Sequence, residues 1–261
     1  MIKLCEITKK LEERFPPFYA ESFDNIGLLA GKSDKAVTKV LLCLDCTPMA
    51  VEEAIKSGCE FIITHHPLIF SPLKELSDKT QKGEMIVNAL ENNISIYSAH
   101  TNLDSAPGGL TDFVAEKLGL TPEGNLQGNL GRICAAPPCM TAKELCALIK
   151  KEFSIKHLYS TFKEDRPLRK IAVCNGGGGG ELLDSVNSLG ADVYISGDLK
   201  HHEILEFQNS HKCDYIEIRH FDCEIVVTEL LKKVLGDLFG SELECIIFKS
   251  DSPLIDTDEL L

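Results

Sequence analysis

The chain carries 261 residues, 44% apolar and 26% charged, with 27 Lys and Arg against 40 Asp and Glu for a formal net charge of −13. At roughly 100–200 residues per domain this is one large domain or two small ones, with enough apolar sequence for a core, which excludes a disordered chain. The acidity argues against nucleic acid as a main partner, because phosphate backbones are held by clustered Lys and Arg; a local basic pocket for one small phosphate stays open.

In chain order, residues 3–14 predict an amphipathic helix stopped by Pro16 and Pro17. Glu6, Glu12 and Glu13 interrupt this stretch where a secretion signal needs unbroken apolar sequence, so the expected localisation is cytoplasmic. Lys39–Leu44 is a continuous apolar run, as in a strand buried on both faces. It leads into Cys43-x-x-Cys46, which lacks the second pair of a zinc knuckle. The reading is two small residues at a strand end, set against a metal or redox pair. The 11 cysteines are expected as reduced, mostly buried thiols.

Thr47-Pro48 opens a helix that runs to Lys56 and ends at Gly58. A second strand, Phe61–Ile63, ends in Thr64-His65-His66-Pro67. Residues 80–91 predict a helix, and Ile94–Ser98 a strand that runs into His100. No apolar run approaches the roughly 20 residues that span a bilayer.

Leu120–Arg132 is rich in Gly, Asn and Pro without clear periodicity, the natural boundary between lobes. The second half then repeats the order of the first. Lys39–Cys43 aligns with Lys170–Cys174, and Cys59–Thr64 with Ala191–Ser196. The spacing of His100 and Asp104 after Ile96 returns as His220 and Glu224 after Ile216. The expected fold class is therefore α/β: two similar α/β lobes from an internal duplication, residues 1–125 and 126–261, with a C-terminal helix packing back on the first lobe.

Ligands in open α/β sheets gather at the C-terminal ends of parallel strands. Asp45, His65, His66, His100, Asp104, Asp198, His220 and Glu224 all follow predicted strands, and this density of imidazole and carboxylate reads as a metal site. His and acid four residues apart share one side if the segment opens a helix. Adjacent histidines before a proline can point apart, one to each of two ions. The donor mix suits Zn, Mn, Fe or Co better than Ca or Mg.

Four segments, Ser22-Phe-Asp-Asn-Ile-Gly-Leu28, Ile63-Thr-His-His-Pro67, Tyr97-Ser-Ala-His-Thr-Asn-Leu-Asp104 and His220-Phe-Asp-Cys-Glu224, together resemble the NIF-three-like family, whose bacterial members are labelled GTP cyclohydrolase I type 2 homologs. The resemblance covers nearly the whole chain. It implies a dinuclear metal centre in the cleft between the lobes, with two divalent transition-metal ions per subunit, and a ring-like homohexamer. Carried over by position, the metal ligands are His65, His66, Asp104, His220 and Glu224, with Asp104 and Glu224 the residues to bridge. His100 matches a position close to the site, as a catalytic acid/base or an outer residue. The interval from Asp104 to His220 is too short for the inserted domain of some members, which makes this the compact form.

The function this implies is a metal-dependent hydrolase of a nucleotide or related heterocycle, with opening of the guanine imidazole ring of GTP as the labelled reaction. A phosphoesterase would use the same ions. The non-enzymatic alternative is a metal-binding assembly or metal-handling protein, and a nucleic-acid-binding ring is opposed by the charge.

Two positions depart from the family pattern: Arg219 where glycine is usual and Cys223 where a small hydroxyl residue is usual. Arg219 reads either as an anion contact or as an outer cap of its strand. Gly176–Gly180 reads as a turn that lets the chain approach the site, against a phosphate cradle. Asp198, Lys200, His201 and His202 are set between a substrate-shaping role and a helix cap with a solvated face. Asp24 and Asp45 read as caps of the following turn or helix, and His157 and His211 as surface residues.

Overall fold

The structure is a computed structural model that describes residues 2–210 and 213–254, the side chain of Ser210 excepted. Contacts divide the chain into two units, one formed by residues up to Leu103 with those from Val227 onward, the other by Asp104–Val226. Both are mixed α/β.

The first unit is built on a five-stranded sheet. Its order is Glu244–Ile247, Lys39–Cys43, Phe61–Thr64, Ser95–Ser98 and Gly27–Ala30. The first four strands run parallel and the last is antiparallel. The three middle strands are buried almost throughout, which is why they read as continuous apolar runs. The helix Pro48–Lys56 starts where the sequence predicts: Thr47 caps it by accepting from the Ala50 N–H, and Pro48 takes the first turn, where no N–H is needed. Ala50, Val51 and Ala54 from this helix, and Ile86 and Ala89 from the helix Gln81–Glu91, pack on Leu41, Ile62 and Ile96 of the sheet. Helix Leu4–Arg14 buries Leu4, Ile7 and Leu11 at helical spacing. The long helix Val227–Phe239 packs on the strands Lys39–Cys43 and Glu244–Ile247.

The second unit has six strands in the order Thr121–Asn125, Arg132–Ala135, Lys170–Val173, Val193–Ser196, Asp214–Glu217 and Tyr159–Ser160. The third, fourth and fifth are parallel and the other pairings antiparallel. Each unit thus contains three parallel strands in sequence order, with an antiparallel strand beside the third.

The division at Leu103 and Val226 differs from the boundary expected at 125/126. The reason is strand pairing. Residues 121–125, expected to be a linker, form a strand exposed at every position that pairs with Arg132–Ala135. Exposure erased the alternation by which a strand is recognised. At the other end, Glu244–Ile247 joins the first sheet beside Lys39–Cys43.

None of the 11 cysteines forms a disulfide. Burial lifts the Cys43 thiol far above its usual range and pushes Cys46 up to about 12, so both are protonated apolar fillers, the small-residue reading of the Cys-x-x-Cys. No helix among the described residues is long and apolar enough to cross a membrane.

One buried charge organises the second unit. Arg132 is 3% exposed; its Nε donates to Asp112 Oδ1 at 2.6 Å, its Nη1 to the carbonyls of Asn129 and Gly131, and its Nη2 to those of Ser105 and Ala106. These bonds fasten the end of the short helix Thr101–Ser105, which carries Asp104, to the second sheet. Truncating one partner of a buried pair leaves the other charge without compensation, at a cost of about 3–5 kcal/mol. Arg132→Ala is expected to lower the urea-unfolding free energy by about that amount, and Arg132→Lys to recover only part of it, as a point charge cannot reproduce the forked contacts.

Candidate metal centre

Parallel strands deliver the polar residues to their C-terminal ends. In the first unit, His65 and His66 follow the strand Phe61–Thr64, Asp45 follows Lys39–Cys43, and His100 follows Ser95–Ser98. The three histidines each offer a ring nitrogen, all within 4.8 Å of one another, with ring centroids 5.1–5.6 Å apart. Pro67 ends the strand register, and a 2.8 Å bond from Ser98 Oγ to the His65 carbonyl pins the turn.

Each ring is oriented by an oxygen on Nδ1. His65, fully buried, bonds the Ala99 carbonyl at 2.8 Å. His66 bonds Asp45 at 2.8 Å and His100 bonds Asp24 at 2.9 Å. A carbonyl or an ionised carboxylate can only accept, so Nδ1 carries the hydrogen and Nε2 presents the lone pair. This is the arrangement in which second-sphere oxygens fix the tautomer of a metal-ligating imidazole.

Asp24 and Asp45 are therefore orienting groups for histidines, and Asp24 also accepts from the Asn25 backbone N–H at 2.8 Å, the cap of the following turn that the sequence predicts. Asp24 also accepts from the Thr101 backbone N–H at 3.0 Å and from the Thr101 hydroxyl. Burial alone would raise the Asp24 carboxyl, but the His100 and Thr101 hydrogen bonds outweigh it and hold the group down at about 2, against an ordinary 3.8.

The second unit contributes acids. Glu224 and Asp104 are buried, at 3% and 7% exposure, and each offers an oxygen within 4.8 Å of the other's. His220, one helical turn before Glu224, places Nε2 2.9 Å from Glu224 Oε2, while its Nδ1 bonds Asp198 at 2.7 Å. With its hydrogen on Nδ1, the imidazole faces the carboxylate lone pair to lone pair, an arrangement that needs a cation or a proton between them. Asp198 thus orients a histidine in addition to preceding the helix His201–Ser210, and sits at φ 58°.

Asn175, passed over in the sequence as the residue before the glycine run, lies among these acids. Its amide nitrogen donates to Asp104 Oδ1 at 2.8 Å and to Glu224 Oε1 at 3.2 Å. Gly176 explains part of the glycine run. It has φ +60°, and a Cβ there would fall 2.0 Å from Glu224 Oε1. The turn is bare so that backbone and carboxylate can approach, in line with the close-approach reading.

Arg219 donates to Asp222 at 2.9 Å, and Cys223 is buried. The Lys200 backbone N–H donates to Glu203, and His201, His202 and His157 are exposed; His211 lies outside the described residues. Burial, reinforced by the Asp104 and Glu224 charges, pushes the nearby Cys174 thiol up to about 12, and the clustered donors are histidine and carboxylate. Imidazole nitrogen and carboxylate oxygen without sulfur is a donor set that fits zinc, iron, manganese or cobalt.

Fold and donors together define an α/β protein that carries histidine and carboxylate groups able to hold metal ions. Comparison agrees with the resemblance noted in the sequence: the chain belongs to the Duf34/NIF3 (NGG1p interacting factor 3) family, whose model matches residues 2–253. It is 33% identical over 255 residues to a protein of Clostridium perfringens named GTP cyclohydrolase 1 type 2 homolog, covering 95% of this chain and 97% of that one. Among solved structures it resembles Staphylococcus aureus protein SA1388, with a TM-score of 0.87, 27% identity, and coverage of 98% and 99% of the two chains. It also resembles reduced HcgD from Methanocaldococcus jannaschii, with a TM-score of 0.83, 30% identity, and coverage of 95% and 98%.

Because the Asp24 carboxyl titrates lower in the folded chain than in the unfolded one, its stabilisation is complete above the ordinary carboxylate range and is lost as pH falls through about 4 toward about 2. Thermal unfolding of metal-stripped Asp24→Asn is expected to lie below the parent at pH 6, with a gap that narrows as pH falls from about 4 toward about 2. A constant gap across that range would show that the Asp24 charge is not what stabilises.

Proposed function

We propose that this chain is a metal-dependent hydrolase acting on a nucleotide or related heterocycle. In this reading His65, His66, Asp104, His220 and Glu224 hold two divalent transition-metal ions per subunit. The observation that carries it is the orientation of the histidines: all four strand-end imidazoles have Nδ1 engaged by an oxygen, which leaves Nε2 as the donor. The name of the Clostridium perfringens relative favours GTP as the first substrate to try. We further propose a cytoplasmic ring-shaped homohexamer. The two units descend from one duplicated α/β unit, an origin supported by the shared order of three parallel strands and one antiparallel edge.

Bound ions of this kind supply Lewis-acid polarisation and activation of a water. The chain's own groups supply proton handling. His100, not assigned as a ligand, keeps its Nδ1 hydrogen on Asp24 and can take a proton on Nε2, with the Asp24 carboxylate stabilising the imidazolium that results. Asp45 and Asp198 hold His66 and His220 in their ligating tautomer and raise their basicity.

Elemental analysis of untagged protein is expected to find close to two transition-metal ions per chain, and fewer in His65→Ala, Asp104→Ala and Glu224→Ala. The acid variants carry a second signature. Removing one of two buried like charges relieves repulsion, so metal-stripped Glu224→Gln is expected to melt no lower than the metal-stripped parent while losing the stabilisation that metal gives the parent. Full metal content in these variants would sink the ligand assignment. Release of a ring-opened or formylated product from GTP supports the cyclohydrolase reading and inorganic phosphate the phosphoesterase. Metal that exchanges readily, with no turnover of either kind, favours a metal-handling protein.

A further inference from the structure

We propose that Asn175 is a positioning residue that sets which oxygens of Asp104 and Glu224 face the metal, a role that rests on reading those two acids as ligands. Its amide nitrogen has two hydrogens and two carboxylate partners, Asp104 Oδ1 at 2.8 Å and Glu224 Oε1 at 3.2 Å, so its donor capacity is filled. Its carbonyl is engaged as well: the Thr111 hydroxyl donates to Asn175 Oδ1 at 2.6 Å. The two carboxylates, which can only accept, settle the orientation of the amide. Flipped, the side chain would turn its oxygen toward two carboxylates and its NH₂ away from them.

The surroundings are built to keep the amide there. Asn175 is 6% exposed and Thr111 fully buried. The same Thr111 hydroxyl lies 3.0 Å from the backbone carbonyl of Asp104, so one hydroxyl references both the amide and the main chain of the residue it serves. Gly176 next door leaves the space Glu224 needs to reach the amide.

With Oδ1 and Oε1 engaged, Asp104 Oδ2 and Glu224 Oε2 are the oxygens the amide does not hold. Oε2 is the one 2.9 Å from His220 Nε2. An amide suits this task where a cation would not. It donates two hydrogen bonds without neutralising either acid, so the full negative charge remains for the metal; Lys or Arg at this position would cancel part of it.

The test is Co²⁺ binding to metal-stripped full-length protein, read by chelator competition and by the visible ligand-field spectrum. The variants are Asn175→Ala, Asn175→Leu and Thr111→Val, with folding checked by circular dichroism. Loss of an outer-sphere partner weakens metal binding by about 10–100-fold. The Asn175 variants are expected to lose at least tenfold in affinity and to shift the spectrum, as coordination changes where ligand number does not. Thr111→Val, which releases the amide without touching a ligand side chain, is expected to give a smaller loss in the same direction. Folded Asn175 variants with parental affinity and spectrum would overturn the proposal while leaving the metal site standing. If neither Asn175 variant folds, parental affinity and spectrum in Thr111→Val overturns it equally. A parent that takes up no Co²⁺ at all would bring down the ligand reading and this inference with it.

Discussion

Two carboxylates buried side by side are the constraint to which the rest of the site answers. With oxygens of Asp104 and Glu224 within 4.8 Å, an effective dielectric of about 20 puts their mutual repulsion at about 3 kcal/mol or more, before the desolvation of each is counted. Hydrogen bonds to a charged group return about 1.5–3 kcal/mol each, so the two from Asn175 offset roughly the repulsion and leave the desolvation. A cation or a proton is the remaining remedy, and His220 at one helical turn from Glu224 is placed to share it. The pair is therefore costly for folding, a compromise of the kind expected at a site that can attract a cation.

Histidine orientation answers the same requirement from the other side. A neutral imidazole binds metal through one nitrogen only if the other holds the hydrogen, and here that hydrogen is directed by Ala99, Asp45, Asp24 and Asp198. None of these is a sequence neighbour of its histidine; the separations are 34, 21, 76 and 22 residues. Asp24 does most, tying the segment around Glu21 and Asp24 to the start of the helix that carries Asp104, through both Thr101 bonds.

The chain path gives the acids a particular place. It passes from the first unit to the second at Leu103–Asp104 and returns at Val226–Val227, so Asp104 opens the second unit and Glu224 stands just before its end. Arg132, bonded to the carbonyls of Ser105 and Ala106, anchors the first of these junctions within the second unit. Packing and the placement of Asp104 are thereby coupled through one buried guanidinium that composition and periodicity gave no reason to single out.

By itself the sequence determined most of the elements and the candidate donors. Continuous apolar runs marked the parallel strands because burial on both faces demands them, Thr47-Pro48 marked a helix start because its cap and its first turn are local chemistry, and His65, His66, His100, Asp104, His220 and Glu224 stood out because they follow strand ends. Local rules reach only a few residues along the chain. The strand Thr121–Asn125 escaped them, since an exposed edge strand has no buried face to pattern, and the true division at Leu103 escaped with it. Only the tertiary structure decided which carboxylate orients which imidazole, with Asp24 and Asp45 each bonded to a histidine, and that one amide at Asn175 spans two acids 71 and 49 residues away. Those are pairings between distant segments, and they exist only once the sheets have brought their strand ends together.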